Sequence, residues 1–272
     1  MTSRSEQTLG YTILGLFSLI ALAPIVGILL TAVQDPNGVA GFGAFDGIHF
    51  GNFKTAWEDG NFGAYLKSSV IVTFSVVIFA TFFSILSGYA FGLMRFRFQS
   101  VLFYVFLLGL MVPTEAIIVP LYYDLRDLHL TNTYWGLILP QIATSVAFGT
   151  YWMRTYFRSV PRSLVEAARI DGASSWFTLW RVLLPLARPA VLTMTVLLFM
   201  WTWNEFLLAL VMVSDENLRT APLGLSFFQG RNTSDLSLMA AASVIVALPV
   251  VVLYVFLQRH FIRGMLAGAV KG

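Results

Sequence analysis

Six apolar runs, each about as long as a helix that crosses a lipid bilayer, limit this chain more than any other feature. They cover about Gly10 to Val33, Leu66 to Met94, Val101 to Tyr123, Tyr134 to Phe157, Pro189 to Val213 and Leu236 to Gln258. A helix rises 1.5 Å per residue, so roughly 20 apolar residues cross a hydrocarbon core ~30 Å thick. Within that core each backbone amide and carbonyl must find its partner inside the segment, which favours helices. The expected fold is an all-α integral membrane domain of six transmembrane helices, with residues 1–272 forming one domain. Composition agrees: 57% of residues are hydrophobic, 11% are charged and the mean hydropathy is +0.76, outside the range of ordinary soluble domains. The first run exceeds the roughly 7–15 residues of a secretory signal core and lacks a clear small-residue cleavage pattern, so an uncleaved first helix is expected.

The 17 Lys and Arg residues are divided unequally between the two sides. Twelve fall on the side of the N terminus, the second loop, the fourth loop and the tail: Arg4, Arg95, Arg97, Arg154, Arg158, Arg162, Arg169, Arg181, Arg188, Arg259, Arg263 and Lys271. The other five are Lys54, Lys67, Arg126, Arg219 and Arg231. Cytoplasmic loops retain positive charge, so both termini are expected in the cytoplasm. The net charge of +3 and pI near 9.3 arise from this bias and do not point to nucleic acid. Tyr122, Tyr123, Tyr134, Trp135, Tyr151 and Trp152 lie near span ends, where amphipathic rings suit headgroup depth. The external segments Asp35 to Tyr65 and Ser214 to Asp235 are too short for catalytic domains and suit contact with a partner. There is no cysteine, hence no disulfide framework, and His49, His129 and His260 are too scattered for a metal site.

The fourth loop, RSVPRSLVEAARIDGASSWFTLWRVLLPLAR over Arg158 to Arg188, reads as two short helices. Ser163 and Glu166 have capping-box spacing, and Gly172 suits a left-handed helix end. Ser174 or Ser175 is placed to cap a second helix, in which Trp176, Leu179, Trp180 and Leu183 share one face. Pro185 is expected to end or kink it. Ala167 and Ala168 allow a close approach, with Glu166 and Arg169 supplying polar contacts beside them. Spacing alone leaves two readings: a docking hairpin, or an amphipathic hairpin lying in the membrane interface.

Glu166-Ala167-Ala168, three residues, Gly172, nine residues and Val182-Leu183-Leu184-Pro185 resemble the EAA loop of ABC importer permeases, with valine in place of the pattern's isoleucine. With WNEFLLAL from Trp203 to Leu210 and the tail Ala267 to Gly272, nearly the whole chain is similar to the MalG-like permease subunits of carbohydrate ABC importers. The resemblance implies an ABC type I importer permease fold in a bacterial or archaeal inner membrane, forming half of a sugar path. It implies that Glu166, Ala167, Ala168, Arg169, Asp171 and Gly172 form a coupling helix seated on an ATPase. It also implies that a tail including Gly268, Val270, Lys271 and Gly272 reaches toward that ATPase; the plain alternative is a disordered terminus. The implied partners are a MalF-like second permease, a dimeric cytoplasmic ABC ATPase, an extracytoplasmic substrate-binding protein and membrane lipid.

None of Lys54, Lys67 and Lys271 follows a glycine, so the chain has no G-x-x-x-x-G-K-[ST] phosphate loop. A transport subunit and not an enzyme is expected, with no cofactor on this chain and with ATP and Mg on the partner ATPase. Two acids fall within the apolar runs, where a charge costs ~2.5 to 3.5 kcal/mol. Counted from the inner span starts, Glu115 and Glu205 share a depth of roughly 20 to 26 Å. Glu205, Asn204, Thr202 and a ring from Trp203 or Trp201 form a candidate sugar path, with Glu115 a weaker member; alternatively Glu205 serves packing or gating. Pro113, Pro120, Pro140 and Pro249 interrupt spans and mark kinks or movable elements. A self-sufficient secondary transporter or channel is the competing class, but it calls for an inverted repeat or a charge relay, and neither is evident.

Overall fold

The computed structural model describes residues 4–35, 47–231 and 235–269, and among them no strand occurs. The helices are α1 (Arg4–Ala32), α2 (Gly51–Asp59), α3 (Phe62–Leu93), α4 (Gln99–Met111), α5 (Thr114–Asp127), α6 (Tyr134–Ser159) and α7 (Arg162–Ile170). They continue as α8 (Ser175–Trp203), α9 (Leu207–Met212), α10 (Ala221–Arg231) and α11 (Leu236–Ala269). Among the described residues α1, α3, α8 and α11 are long and apolar enough to cross a membrane alone, and the bent pair α4 and α5 would make a fifth span. Helix α6 has 26 residues, roughly 39 Å. It is less apolar because it keeps polar groups such as Gln141 and Thr150 inside the protein.

Two expected spans take another course. The third breaks between Met111 and Thr114 and turns through 98°. Val112 is extended with ψ 115° and Pro113 with ψ 135°; a proline has no amide to continue the helix and biases the residue before it toward extended backbone. The fifth begins at Ser175, well before Pro189, and its long helix stops at Trp203. Pro185 does not end it. The preceding turn, Thr178–Leu183, is π-helical, and this wider turn gives the pyrrolidine ring space that a regular α-helix lacks.

The chain forms two compact units. In the one made of residues up to Gly63 together with Leu223–Pro249, α1 leaves its apolar length exposed, as a helix surrounded by hydrocarbon can. Its far end is tied down: Asn52 Nδ2 donates to the carbonyls of Ala32 at 3.0 Å and Gln34 at 2.8 Å, satisfying acceptors that a helix end leaves open. Phe62 meets Phe228 edge-on at 5.6 Å.

The other unit, Ala64–Pro222 with residues from Val250 onward, holds a core built from α3, α6 and α8. Its members include Val77, Ile85, Met153, Phe157, Leu179, Leu183, Met194 and Leu198. Small residues let α3 and α6 approach closely, since lipid supplies little hydrophobic drive to press helices together. A Cβ on Gly88 would overlap that of Met153, and a Cβ on Gly149 would overlap Ser84. The Ser87 and Thr150 hydroxyls pair at 2.6 Å across the same contact. At the end of α3 the Phe91 carbonyl accepts from Gln99 Nε2 at 2.8 Å and Arg154 Nε at 3.2 Å.

Candidate functional site

Helix α7 has one anchored face and one free face. Val165 and Ala168 are buried, and Val165 belongs to the core shared by α3, α6 and α8. Glu166, Ala167 and Arg169 are exposed, and Ile170 is 86% exposed. Of the two alanines expected to permit close approach, therefore, Ala167 alone faces outward; Ala168 lies one turn from Val165 and packs inward. Ile170, which the sequence reading passed over, stands one turn after Glu166 on the free face. That spacing of four was its available signal.

The start of α7 differs from the expected capping box. Pro161 occupies the cap position and no side chain caps the helix there. Because Pro161 sets the first turn at Arg162, Ser163 is already inside the helix, where its hydroxyl cannot act as the cap. The end follows expectation. Gly172 has φ +77°; its amide donates to Arg169 O at 3.0 Å and that of Ala173 to Ala168 O at 2.9 Å, the bond pair of a Schellman motif. Asp171 and Gly172 are exposed at this turn and line, with Ala173, Ser174 and Phe177, a cavity of about 450 Å³.

Ser174 then caps α8, its Oγ accepting from the Phe177 amide at 3.2 Å. The expected single face of the second helix is split: Leu179 and Leu183 are fully buried while Trp176 is exposed. Trp180 is half-buried and stacks on Phe82 at 6.2 Å. A π turn inserts an extra residue per turn and so rotates the positions that a regular spacing would align.

The residues expected near a translocation path do not form one group. Trp203 is 2% exposed and stacks on Phe199 at 5.6 Å, so it serves the core and offers no face to a sugar. Trp201 is 53% exposed and touches Phe148 edge-on. Thr202 is buried. Asn204 is exposed and its Nδ2 donates to Met200 O at 2.7 Å. The Glu205 carboxylate accepts from the amides of Leu208 at 2.8 Å and Ala209 at 3.2 Å, and so caps α9 where the chain resumes helical form. Glu115 is exposed in the first turn of α5. Its expected depth, counted along one straight helix, fails at the 98° break. Both acids nonetheless follow a helix break and sit at a helix start, where the macrodipole favours negative charge.

Gly268 lies in helical backbone at the end of α11, whereas Val270, Lys271 and Gly272 lie outside the described residues. Among the described residues no group of three or more His, Cys, Asp or Glu is placed to hold a metal.

Residues 80–267, which include α7, the Gly172 turn and the Glu205 break, match the family model of the binding-protein-dependent transport system inner membrane component. The chain belongs to that family. It is 36% identical over 259 residues to the probable ABC transporter permease protein YurM of Bacillus subtilis, covering 93% of this chain and 85% of that one. It is also 36% identical over 214 residues to the trehalose/maltose transport system permease protein MalG of Thermococcus litoralis, covering 78% and 77%. A chain from the crystal structure of a bacterial ABC transporter that imports the acidic polysaccharide alginate superposes with a TM-score of 0.82 at 27% identity, covering 96% of this chain and 99% of that one. This permease is thus a MalG-like, multi-pass membrane subunit of a sugar ABC importer. Helix α7 carries the string Glu166-Ala167-Ala168, and the Glu205 break lies within Trp203-Asn204-Glu205-Phe206.

Proposed function

We propose that this permease forms half of a translocation path for a sugar or sugar derivative and is driven by a separate dimeric ATPase that seats on the free face of α7. The observation that carries this is the two-sidedness of α7. Glu166, Ala167 and Ile170 are available to a partner, while Val165 is fixed in the core that contains Leu179, Leu183 and Trp203 of α8. Close-packed cores transmit displacement in place of absorbing it. A push on α7 is therefore passed to α8, whose 29 residues lead from the α7 turn to the Glu205 break.

In this reading both termini and α7 face the cytoplasm, consistent with the charge bias. The ATPase binds ATP and Mg, a second MalF-like permease completes the path, and an external binding protein delivers the sugar. The tail from Arg263 to Gly272 is a second ATPase contact. Asn204 and Trp201 are the WNEF-region groups open to a passing sugar, while Glu205 holds α9 in place beside them. The names of relatives, trehalose/maltose in one case and alginate in another, support the sugar class without selecting a member.

The chain has no cysteine, so a single Ile170→Cys variant is a clean cross-linking probe. Coexpressed with its partner ATPase, this variant should cross-link to single cysteines in the ATPase groove, and Glu166→Lys should reduce the yield and uncouple uptake from hydrolysis. Equal cross-linking from Ile170→Cys and from a cysteine at Trp201 would refute the docking.

A further inference from the structure

A cavity of about 760 Å³ lies along one side of α7, among the ends of α3 and α6, the first turn of α4 and the start of α8, and the exposed Glu166 and Arg169 of α7 form part of its wall. Its lining includes Arg95, Arg154, Arg158, Arg162, Arg169 and a single acid, Glu166. No ion pair engages these five arginines among the described residues. Arg154 is bound on one side, with Nε on the Phe91 carbonyl and its guanidinium 3.7 Å above the Phe103 ring. The other four have no hydrogen-bond acceptor among the described residues. Five like charges around one cavity repel one another unless a counter-charge is present.

Three further observations indicate which counter-charge fits. Gln99 and Ser100 bring the start of α4 to the cavity wall, and that 13-residue helix has no side-chain cap, so amide donors accompany the guanidinium groups. Guanidinium forks match the paired oxygens of a phosphate. Helices α3 and α4 lie in the membrane part of the fold, and Val101, Leu102, Tyr104, Val105 and Leu108 of α4 are exposed apolar groups leading away from the cavity mouth. A free phosphate uses the first two features; a phospholipid also uses the third.

We propose that this cavity binds the phosphate of an anionic membrane phospholipid, with Arg95, Arg158 and Arg162 as its main charged contacts and the acyl chains along α4. The bound lipid neutralises the arginines on this side of α7 and so holds that helix against the bundle. The site depends on the membrane placement of the chain and not on the ATPase reading, so it can be tested on the permease alone.

The test uses the full chain in vesicles containing equal amounts of phosphatidylglycerol and phosphatidylcholine with identical acyl chains, followed by native mass spectrometry of the lipids that remain bound. The wild type should retain phosphatidylglycerol roughly tenfold over phosphatidylcholine, as expected from charge-assisted bonds at a partly exposed site. The triple variant Arg95→Gln, Arg158→Gln, Arg162→Gln should lose that preference, while Arg181→Gln, outside the cavity, should keep it with the same helicity by circular dichroism. Equal retention of both lipids by the wild type, or an unchanged preference in a folded triple variant, would overturn the site. Millimolar inorganic phosphate should not displace the lipid; displacement at that concentration would overturn the lipid assignment and identify a free phosphate as the occupant.

Discussion

Gly172 holds φ at +77° with open space where a Cβ would project, so Gly172→Ala meets backbone strain alone, about 1 kcal/mol. The variant should stay folded, with near-normal helicity, yet lose transport in proportion to its loosened α7 turn; paired circular dichroism and uptake measurements check this. Wild-type uptake in Gly172→Ala would remove the turn from the mechanism. Glu205 separates two roles that its sequence left open. If its main work is to accept the Leu208 and Ala209 amides, Glu205→Ala should lower stability by about 1–3 kcal/mol through the orphaned donors, and Glu205→Gln, which keeps an acceptor oxygen, should recover much of it. Thermal unfolding in detergent reads the difference. A Glu205→Ala variant as stable as wild type but dead in uptake would assign the carboxylate to the path instead. Gly172 was legible from the sequence because a left-handed helix end strongly prefers glycine. Trp203 was not, because an apolar ring facing the core and one facing a channel have the same one-dimensional pattern.

The α3 and α6 contact is set by Gly88, Gly149 and Ser84 and by the hydroxyl pair of Ser87 and Thr150. Gly149→Leu should force the helices apart and cost about 1–3 kcal/mol, seen as a lowered unfolding temperature and as lost transport, whereas Gly109→Leu, with nothing near its Cβ position, should be neutral. Unchanged stability in Gly149→Leu would contradict this packing. Hydropathy located the apolar elements well but not where they break: the run at 101–123 stays apolar through Val112, and the run at 189–213 is apolar on both sides of Asn204 and Glu205, while the backbone leaves the helix at each place. An apolar average reports burial in lipid or protein and carries no information on chain direction. Pro113 was the visible warning. Pro185 shows the converse, since the π turn before it lets a helix pass a residue that spacing alone reads as a stop.

At the level of the whole molecule, the proposed coupling depends on one connected core. Val165 on α7, Tyr89 on α3, Phe157 on α6 and Leu183 on α8 belong to the same cluster, so α7 and the long helix toward Asn204 and Glu205 share one packed core. Val165→Ala should leave the free face of α7 intact yet weaken this link, at a cost of about 1 kcal/mol for the deleted methyls. ATPase binding should then persist while less uptake accompanies each ATP hydrolysed; a normal ratio would contradict transmission through this core. The family was legible because the EAA spacing is a local pattern. The arginine cavity was not, because it collects residues from five elements, α3, α4, α6, α7 and α8. The most direct measurement of ATP-driven movement by a docked partner is sugar uptake into vesicles containing this permease, a second permease, an ATPase and a binding protein. Uptake should require ATP and all four components and should fall to background in Glu166→Lys; uptake by this chain alone, without ATP, would contradict it.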